Sequence, residues 1–561
     1  MPTISVDQQD LLQLLGRNYT LAELEPLLDL VKGELKAVDD DSGELKIELK
    51  DTNRPDLWCP EGIARQLRFS FDAPDYSALF RHSKRPEKQV VVDRNVQTVR
   101  PYIGAFIAKG KAITEQGLLQ MIQTQEKLCD GYGKQRELIA IGIYNADKIS
   151  FPVHYNAVEP HSIRFTPLGC EDEMDLADIL ARHPKGVEFG GILKGQTHYP
   201  LLLDDQGDVL SFPPVINSRT SGEVHLGDDH LFIEVTGLTL DMTLHAVNIL
   251  ACNFSDRGFE IEPVLGVYPY DTPYGSEVVA PYPLTNAVEV DYALCNTYLG
   301  ASYTVEQIVE RLKNYGVSVT SQGNETFTAS TYPYRQDYMH SVDVIEDLAI
   351  STGYNAFEPI MPERFTVGHL SQQTLLEDRV RDTLIGFGFE EVILNILTNK
   401  EDYCEHVDDM FADLIEISNP MTESYSVLRN SLIPSLLKVE AKSFKSLYPH
   451  KIFEVGEVVS PDQSENHGCA TRSKLAALLA HAEANFSEMG SYVQHLQYLL
   501  FWEIHIRAKH FPMCIAGRSG ELLANGAPVG FIGEVHPEIL EKWGMKMPAV
   551  VFELDLTRLS L

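Results

Sequence analysis

The sequence has 561 residues and a formal net charge of −35, from 46 Lys and Arg against 81 Asp and Glu. A chain of this length predicts several domains, and its acidity argues against broad binding of nucleic acid, because Lys and Arg supply most of the affinity for phosphate backbones. No apolar run is long enough to cross a bilayer and the N-terminus does not resemble a secretory signal, so we expect a soluble, cytoplasmic protein that does not contact a membrane.

An internal repeat is the first informative pattern. Residues 14–33 read LLGRNYTLAELEPLLDLVKG and residues 298–316 read YLGASYTVEQIVERLKNYG, so both combine Leu-Gly, Tyr-Thr and an amphipathic segment that ends in glycine. Thr20 and Thr304 each precede a Glu or Gln by three residues, which is the spacing of a capping box. Each copy is therefore predicted to contain a helix that begins after its threonine.

Each copy of the repeat continues in the same order. The final glycines, Gly33 and Gly316, are predicted to end their helices in a left-handed conformation. Two strand-like stretches follow, then an Arg-x-Asp motif at 54–56 and at 335–337, and then a second helix. The matched order predicts that one small α+β unit occurs twice.

The rest of the chain has two further patterns. Residues 86–270 contain short β-type runs bounded by Gly and Pro, with a hairpin turn predicted at 205–208. From residue 363 onward, runs such as ADLIEISNP, HKIFEVGEVV and AVVFELDL predict one antiparallel sheet with helices between its strands. The predicted fold class is therefore α+β and multidomain.

Four stretches, in this order, resemble the beta subunits of phenylalanyl-tRNA synthetases of the archaeal/eukaryotic type. They are Asn53–Asp56 with Gly62–Arg65, Leu210–Ser218 with Phe232–Gly237, Tyr334–Asp337 with Asp343–Asp347, and Ile417–Pro420 with Leu428–Arg429 and Phe453–Gly456. The resemblance implies a winged-helix-like repeat at 1–85, an editing domain at 86–270, a second winged-helix-like domain with a metal site at 271–362, and a class II synthetase-like domain without catalytic motifs at 363–561. Neither the inserted tRNA-binding OB domain nor the RNA-recognition-like domain of the longer bacterial form is expected.

Four acidic residues form a candidate metal site: Asp337, Asp343, Glu346 and Asp347. Carboxylates so close in sequence repel one another unless a cation lies among them, and oxygen ligands suit Mg²⁺ or Ca²⁺. On spacing alone, an acidic helix N-terminus that faces water is the better interpretation. The resemblance reverses this preference, because the family places magnesium ligands at matching positions, and it implies Mg²⁺ as the cofactor.

A proofreading site is the second expectation. Phenylalanine and tyrosine differ by one hydroxyl, and an apolar pocket rejects an added hydroxyl by only about a hundredfold. A synthetase for phenylalanine therefore needs a second site that hydrolyses tyrosyl-tRNA and that offers a polar group to the tyrosine hydroxyl.

The resemblance assigns editing-pocket residues at Leu202, Ser211, Glu234 and Thr236, with Asn217 and His198 as further polar candidates. Glu234 is expected to bind the tyrosine hydroxyl, and Ser211 and Thr236 to bound the pocket or to orient a water; Leu202 and Asn217 are expected to bind substrate. Without the resemblance, ordinary polarity at strand ends is by far the better interpretation of Ser211, Glu234 and Thr236. A water attack assisted by the terminal hydroxyl of the tRNA is expected, since no G-x-S-x-G elbow is present.

The last domain is expected not to bind ATP. Class II synthetases use an Arg-x-Glu strand motif, and the matching strand has Ile452 where the arginine is needed, two residues before Glu454. An ATP phosphate requires fixed cationic partners. The segment from Asn419 to Arg429 is expected instead to form an interface with a catalytic alpha subunit.

The predicted function is that of a beta subunit of phenylalanine–tRNA ligase. The resemblance implies a heterotetramer of two alpha and two beta subunits, in which the alpha subunit binds ATP and phenylalanine and charges the tRNA for phenylalanine. The beta subunit would hydrolyse mischarged tyrosyl-tRNA. Two alternatives stay open: a structural, tRNA-guiding subunit with an inactive pocket, and a stand-alone synthetase with a divergent ATP site around Glu454.

Overall fold

The structure is a computed structural model that describes residues 2–39, 42–323, 325–363, 366–404, 406–407 and 410–559. The chain divides into two compact units, Met1–Ile360 and Met361–Leu561. Both combine helices with sheets, which confirms a mixed α/β, multidomain fold. The predicted domain boundaries within the first unit stay predictions. In the described ranges, every helix is too short or too polar to span a membrane.

The first unit begins with one copy of the repeat. Its elements are β1 (Thr3–Asp7), α1 (Gln8–Leu15), α2 (Leu21–Leu27), β2 (Gly33–Asp39), β3 (Glu44–Leu49) and α3 (Pro60–Arg68). The strands form an antiparallel sheet in the order β1-β3-β2. Thr20 and Glu23 form the predicted capping box. The prediction for Gly33 is wrong: Lys32 adopts the left-handed conformation, with φ 48°, because Gly33 already pairs with Leu49 as the first residue of β2.

A ten-stranded sheet forms the middle of the first unit. The elements are β4 (Gln89–Val92), β5 (Tyr102–Lys109), α4 (Glu115–Lys127), β6 (Ile139–Asn145), β7 (Val153–Val158), β8 (Arg164–Phe165), β9 (Met174–Asp175), α5 (Leu176–Arg182), α6 (Pro184–Phe189), β10 (Tyr199–Leu203), β11 (Val209–Phe212), β12 (Ile216–Asn217), β13 (His230–Gly237), α7 (Leu240–Asp256), β14 (Glu260–Val267) and β15 (Glu277–Ala280). The strand order is β12-β11-β10-β7-β4-β14-β5-β13-β6, and β15 pairs with β14. The predicted turn at 205–208 connects β10 to β11, with Gly207 at φ 89°.

The second copy of the repeat completes the first unit. Its elements are β16 (Ala287–Asp291), α8 (Tyr292–Leu299), α9 (Val305–Lys313), β17 (Ser318–Gln322), β18 (Thr326–Ser330) and α10 (Ser341–Thr352). The strand order β16-β18-β17 repeats that of the first copy. Thr304 forms the predicted capping box, and Gly316 has the predicted positive φ, 83°. The two copies contact each other: Gln66 Nε2 donates to the Tyr315 carbonyl at 3.0 Å, and the Tyr315 hydroxyl donates to the Leu30 carbonyl at 2.8 Å.

The second unit is built on a seven-stranded sheet. The elements are α11 (Gln372–Gly386), β19 (Glu390–Glu391), β20 (Leu397–Thr398), α12 (Lys400–Cys404), β21 (Ile415–Glu416), β22 (Val427–Leu428), α13 (Ile433–Lys442), β23 (His450–Pro461), β24 (Cys469–Ala480), α14 (Phe486–Leu500), β25 (Ile504–Ala508), β26 (Cys514–Ala524), β27 (Ala527–Val535), α15 (Pro537–Lys542) and β28 (Ala549–Asp555). The strand order is β19-β23-β24-β28-β27-β26-β25.

The prediction of one antiparallel sheet in this unit is wrong in two respects. The ADLIEISNP run contributes β21, whose two residues pair with β22 in a separate three-stranded sheet that also contains β20. The strand β19 pairs with β23 in parallel. Runs of two residues carry too little alternation to indicate which sheet they join.

Candidate functional site

A cavity of about 560 Å³ lies beside α4 in the first unit, against β6, β11 and β13. Most of its wall is apolar, with Met121, Ile141, Ile143, Val215 and Ile216 among the lining residues. Three of the predicted editing residues, Ser211, Asn217 and Glu234, also line it. An apolar cavity with a few converging polar groups is the usual form of a small-molecule site.

Glu234 is the central polar group of this cavity. It lies on β13 and is 2% exposed, and its Oε1 accepts a hydrogen bond from the Tyr144 hydroxyl at 2.9 Å. Its Oε2 is buried and has no hydrogen-bond partner among the described residues. Burial raises the pKa of Glu234 to about 7, against the opposing effects of the Tyr144 hydrogen bond and the Arg100 charge. One carboxyl oxygen of a cavity-lining residue is therefore buried without a hydrogen-bond partner among the described residues.

Three predicted residues lie outside the cavity wall. Thr236 is fully buried on β13, where its hydroxyl and its carbonyl accept hydrogen bonds from Arg100 at 3.0 and 2.9 Å. Leu202 pairs with Ser211 between β10 and β11 and belongs to the hydrophobic core. His198 is exposed and bonds to Thr197. Contacts of these side chains with a ligand stay predictions.

Two residues at the cavity were not predicted from the sequence: Arg136, which lines it, and Tyr144, which contacts two lining residues from the core. Tyr144 lies on β6, and its hydroxyl is 2.8 Å from Ser211 Oγ as well as 2.9 Å from Glu234 Oε1. Arg136 donates from Nη1 to the carbonyls of Pro214 and Val215, at 3.2 and 3.0 Å. Neither residue stands in a motif, so no sequence signal indicated them.

The backbone that carries Arg136 is unusual. A π-helical turn, Leu128–Tyr132, follows α4. Lys134, Gln135 and Arg136 then have φ of 47°, 53° and 69°. Left-handed backbone is costly for residues with side chains, and both π-helical turns and such strain concentrate at functional sites. The turn therefore supports the view that this cavity, rather than another part of the unit, carries the function.

The candidate metal ligands are held by other partners, beginning with the two buried ones. Asp337 accepts two hydrogen bonds from Arg335, at 3.0 and 2.7 Å. Asp347 Oδ2 accepts from Arg335 at 2.7 Å and from the Tyr338 hydroxyl at 2.6 Å. Arg335 therefore bonds to both carboxylates, and Arg54 Nε also lies 3.9 Å from Asp337 Oδ1.

The two more exposed acids lie elsewhere on α10. Asp343 Oδ2 accepts from the amides of Met339 and His340, both at 2.7 Å, as part of the N-terminal cap of the helix. Glu346 pairs with Lys32 of the first copy at 2.7 Å. No three metal-binding side chains converge within the part of the chain that the structure describes. As placed, the four acids do not fit Mg²⁺, which needs near-octahedral oxygen ligands. They form an ion-pair network and a helix cap, and a metal site at these residues stays a prediction.

Comparison with known proteins gives matches along the whole chain. Residues 288–354 match the model described as the tRNA synthetase B5 domain, and residues 358–556 match the phenylalanyl tRNA synthetase beta chain CLM domain. The phenylalanine–tRNA ligase beta subunit of Borrelia garinii is 40% identical over 100% of this chain and 99% of its own length. That of Borrelia hermsii is 39% identical over 100% of both chains. The chain belongs to the phenylalanine–tRNA ligase beta subunit family.

One solved structure of the family is similar to the first unit. An N-terminal fragment of the phenylalanyl-tRNA synthetase beta subunit from Pyrococcus horikoshii is 36% identical, with a TM-score of 0.59, and covers 63% of this chain and 100% of the fragment. The two Borrelia relatives, which match along their whole length, are bacterial. The type of beta subunit is therefore not decided by these matches.

The second unit of this beta-subunit family member contains the strand that was compared with the Arg-x-Glu motif of class II synthetases. Glu454 lies on β23, and its Oε1 is 2.8 Å from Arg429 Nη1 and accepts a hydrogen bond from the Leu394 amide at 3.2 Å. Burial raises the pKa of Glu454 despite the Arg429 charge. Ile452 is buried on the same strand. Arg429 is therefore already paired with Glu454, the residue that matches the glutamate of the Arg-x-Glu motif.

Proposed function

We propose that this chain is the beta subunit of a phenylalanine–tRNA ligase and that its cavity hydrolyses tyrosyl-tRNA. Family membership supports the first part. In this proposal, two alpha subunits pair with two beta subunits in the cytoplasm. The alpha subunit binds ATP and phenylalanine and charges the tRNA for phenylalanine. We also propose the domain arrangement that the sequence predicts. We further propose that the subunit is of the archaeal/eukaryotic type, which the similarity to the Pyrococcus horikoshii fragment supports.

The buried, unpartnered Oε2 of Glu234 is the observation that supports the editing function. A ligand tyrosine that enters the apolar cavity could donate its hydroxyl to this oxygen. Phenylalanine would leave the oxygen desolvated and unpaired, and leaving a buried polar group unpaired is strongly unfavourable. The cavity therefore has the chemistry to retain tyrosine and to reject phenylalanine.

Ser211 and Asn217 provide polar atoms near Glu234 in the same cavity. We assign them to holding the ester end of the ligand and the attacking water, because no base–nucleophile pair stands out among these residues. The hydrolysis would transfer the aminoacyl group from the tRNA oxygen to water, with the terminal hydroxyl of the tRNA taking part in proton transfer. No step requires a covalent enzyme intermediate.

The test is deacylation of purified tyrosyl-tRNA by the chain, in complex with its alpha subunit. We expect Glu234→Ala to reduce hydrolysis about tenfold or more, since it removes one buried hydrogen bond to the ligand. Glu260→Ala, at the exposed end of β14, is the matched control. Unchanged hydrolysis in Glu234→Ala would refute the pocket assignment. A wild type without hydrolytic activity would favour the alternative of a structural, tRNA-guiding subunit.

A second test separates this function from that of a stand-alone synthetase. We expect the chain alone not to attach phenylalanine to tRNA and to become part of an active enzyme when mixed with the alpha subunit. Charging by the chain alone would show that an ATP site had been missed. The pairing of Glu454 with Arg429 supports the expected outcome.

A further inference from the structure

Tyr144 connects two polar groups of the cavity through one hydroxyl. The residue is fully buried on β6, and its Oη lies 2.9 Å from Glu234 Oε1 and 2.8 Å from Ser211 Oγ. Three strands, β6, β11 and β13, therefore meet at this single oxygen.

The sheet register explains how the three groups meet. In the antiparallel pair β6–β13, Gly142 lies opposite Glu234 and Phe232 lies opposite Tyr144. Tyr144 and Glu234 are thus diagonal neighbours on one face, within reach of a long side chain. A Cβ atom at Gly142 would collide with both the Tyr144 hydroxyl and the Glu234 carboxyl. The glycine makes room for this contact.

We propose that Tyr144 is a positioning residue for editing: its hydroxyl binds Glu234 Oε1 and Ser211 Oγ and leaves Glu234 Oε2 as the carboxyl oxygen that receives the ligand hydroxyl. The inference rests on the proposed function and deepens it. It goes beyond the residues that the family resemblance indicated, because Tyr144 is not among them.

The number of available protons determines which group donates each hydrogen bond. The Tyr144 hydroxyl has one proton and two neighbours that can accept it. When it donates to an ionised Glu234, Ser211 must donate to Tyr144 Oη, so the serine lone pairs are left to accept from a ligand or a water. Tyr144 therefore orients the serine hydroxyl as well as the carboxylate.

Loss of this hydroxyl has a consequence that simple packing does not predict. Tyr144→Phe leaves both carboxyl oxygens of Glu234 buried without a partner, and a buried carboxylate without hydrogen bonds takes up a proton more readily. A protonated Glu234 no longer offers a charged acceptor to tyrosine. Other charged and titratable groups also surround this carboxyl. Arg100 and Tyr155 lie within the unit, and the cavity wall contains Glu126, Cys129, Arg136, Lys185 and Glu223.

The first experiment measures deacylation of tyrosyl-tRNA and phenylalanyl-tRNA by the complex across pH 5–8.5. We expect Tyr144→Phe to lower kcat/KM for tyrosyl-tRNA about tenfold, mainly through KM, to reduce the preference over phenylalanyl-tRNA, and to shift the pH profile upward. Tyr268→Phe is the matched control, because it removes a buried hydroxyl whose hydrogen bonds to described residues are with the backbone of Ile103. Equal behaviour of the two variants would overturn the proposal.

The second experiment does not depend on hydrolysis. Difference infrared spectroscopy can follow the protonated carboxyl band of Glu234, assigned by its absence in Glu234→Gln. We expect its titration midpoint to rise by about one pH unit in Tyr144→Phe and to stay unchanged in Tyr268→Phe. An unchanged midpoint in both variants would overturn the proposal. If wild type hydrolyses no tyrosyl-tRNA but the midpoint moves, the editing function fails while the positioning of Glu234 by Tyr144 stands.

Discussion

Arg54 and Arg335 occupy equivalent positions in the two copies of the repeat and make equivalent contacts. Each guanidinium forms two hydrogen bonds with the aspartate two residues later, Asp56 or Asp337. Each also reaches a side chain twelve residues later, on the following helix: Gln66 at 3.0 Å and Asp347 at 2.7 Å. The Gln66 amide in one copy therefore accepts the same arginine hydrogen bond as the Asp347 carboxylate in the other.

This equivalence predicts different effects for two substitutions. We expect Asp347→Asn to be well tolerated, with a cost of about 1 kcal/mol or less, because an amide oxygen can accept from Arg335 as Gln66 does from Arg54. Arg335→Met should destabilise the first unit by about 3 kcal/mol, since two buried carboxylates lose the cation that bonds to both, and Arg54 is 3.9 Å from Asp337 only. Thermal unfolding of the two variants measures the difference. Similar melting temperatures would show that Arg335 does not hold the acids together.

The same contacts bear on Mg²⁺. Because Asp337 and Asp347 are bound by Arg335 and Glu346 is paired with Lys32, we expect the melting temperature of the chain to be the same in MgCl₂ and in a chelator. The comparison includes Asp343→Asn. A rise with Mg²⁺ in the wild type that disappears in Asp343→Asn would show that the acids rearrange around an ion, as the family resemblance implies.

The raised pKa of Glu234 predicts a pH-dependent stability. Burial raises this pKa from the ordinary 4.5 to about 7, so between these values the folded chain holds a proton that the unfolded chain has lost. The free energy of unfolding then falls with rising pH, by at most about 1.4 kcal/mol per unit, and levels off above about pH 7. The stabilisation is complete below pH 4.5.

Replacing the Glu234 carboxyl by an amide tests whether the free energy of unfolding falls as the pH rises. Glu234→Gln should melt at a higher temperature than wild type at pH 8 and at nearly the same temperature at pH 5. The measurement is the melting temperature of both proteins across that range, with Glu260→Gln as the exposed control. Parallel curves for wild type and Glu234→Gln would contradict the prediction.

Gly142 should be intolerant of even a methyl group. We expect Gly142→Ala to abolish editing and to destabilise the chain by about 1–3 kcal/mol, because the added Cβ collides with the Tyr144 hydroxyl and the Glu234 carboxyl. Gly191→Ala provides the comparison, since a Cβ atom there meets no atom within 4 Å. Editing assays and thermal unfolding report the two effects; wild-type editing in Gly142→Ala would mean that the carboxyl can move away without loss.

The ion pair of the second unit makes a further prediction. Restoring the arginine of the synthetase motif by Ile452→Arg should not produce ATP–pyrophosphate exchange, because Arg429 already holds Glu454 and Ile452 is buried. Exchange measured with the chain alone, wild type and variant, decides this. Activity in the variant would show that an arginine at position 452 is enough for this domain to bind and use ATP.

The features that could be predicted from the sequence are those that depend on residues close together along the chain. The two capping boxes, the turn at Gly207 and the repeat itself follow from local rules that the surroundings did not override. The sequence did not indicate Tyr144, because a tyrosine in a buried strand has no local signal and gains its role only from the register of β6 with β13. The acidic cluster shows the opposite case: its members are close in sequence, but the contacts that Asp347 and Glu346 make with Arg335 and Lys32 could not be predicted from that spacing.

The contact between the two copies also constrains the order of folding. Gln66 and Tyr315 are 249 residues apart, and closing an unstructured loop of that length costs about 5 kcal/mol in chain entropy. Prior folding of the ten-stranded sheet between them brings the two ends together and removes most of that cost. During synthesis, the contacts between the two copies can therefore form only after the second copy has left the ribosome, so the first copy keeps this surface uncovered until then.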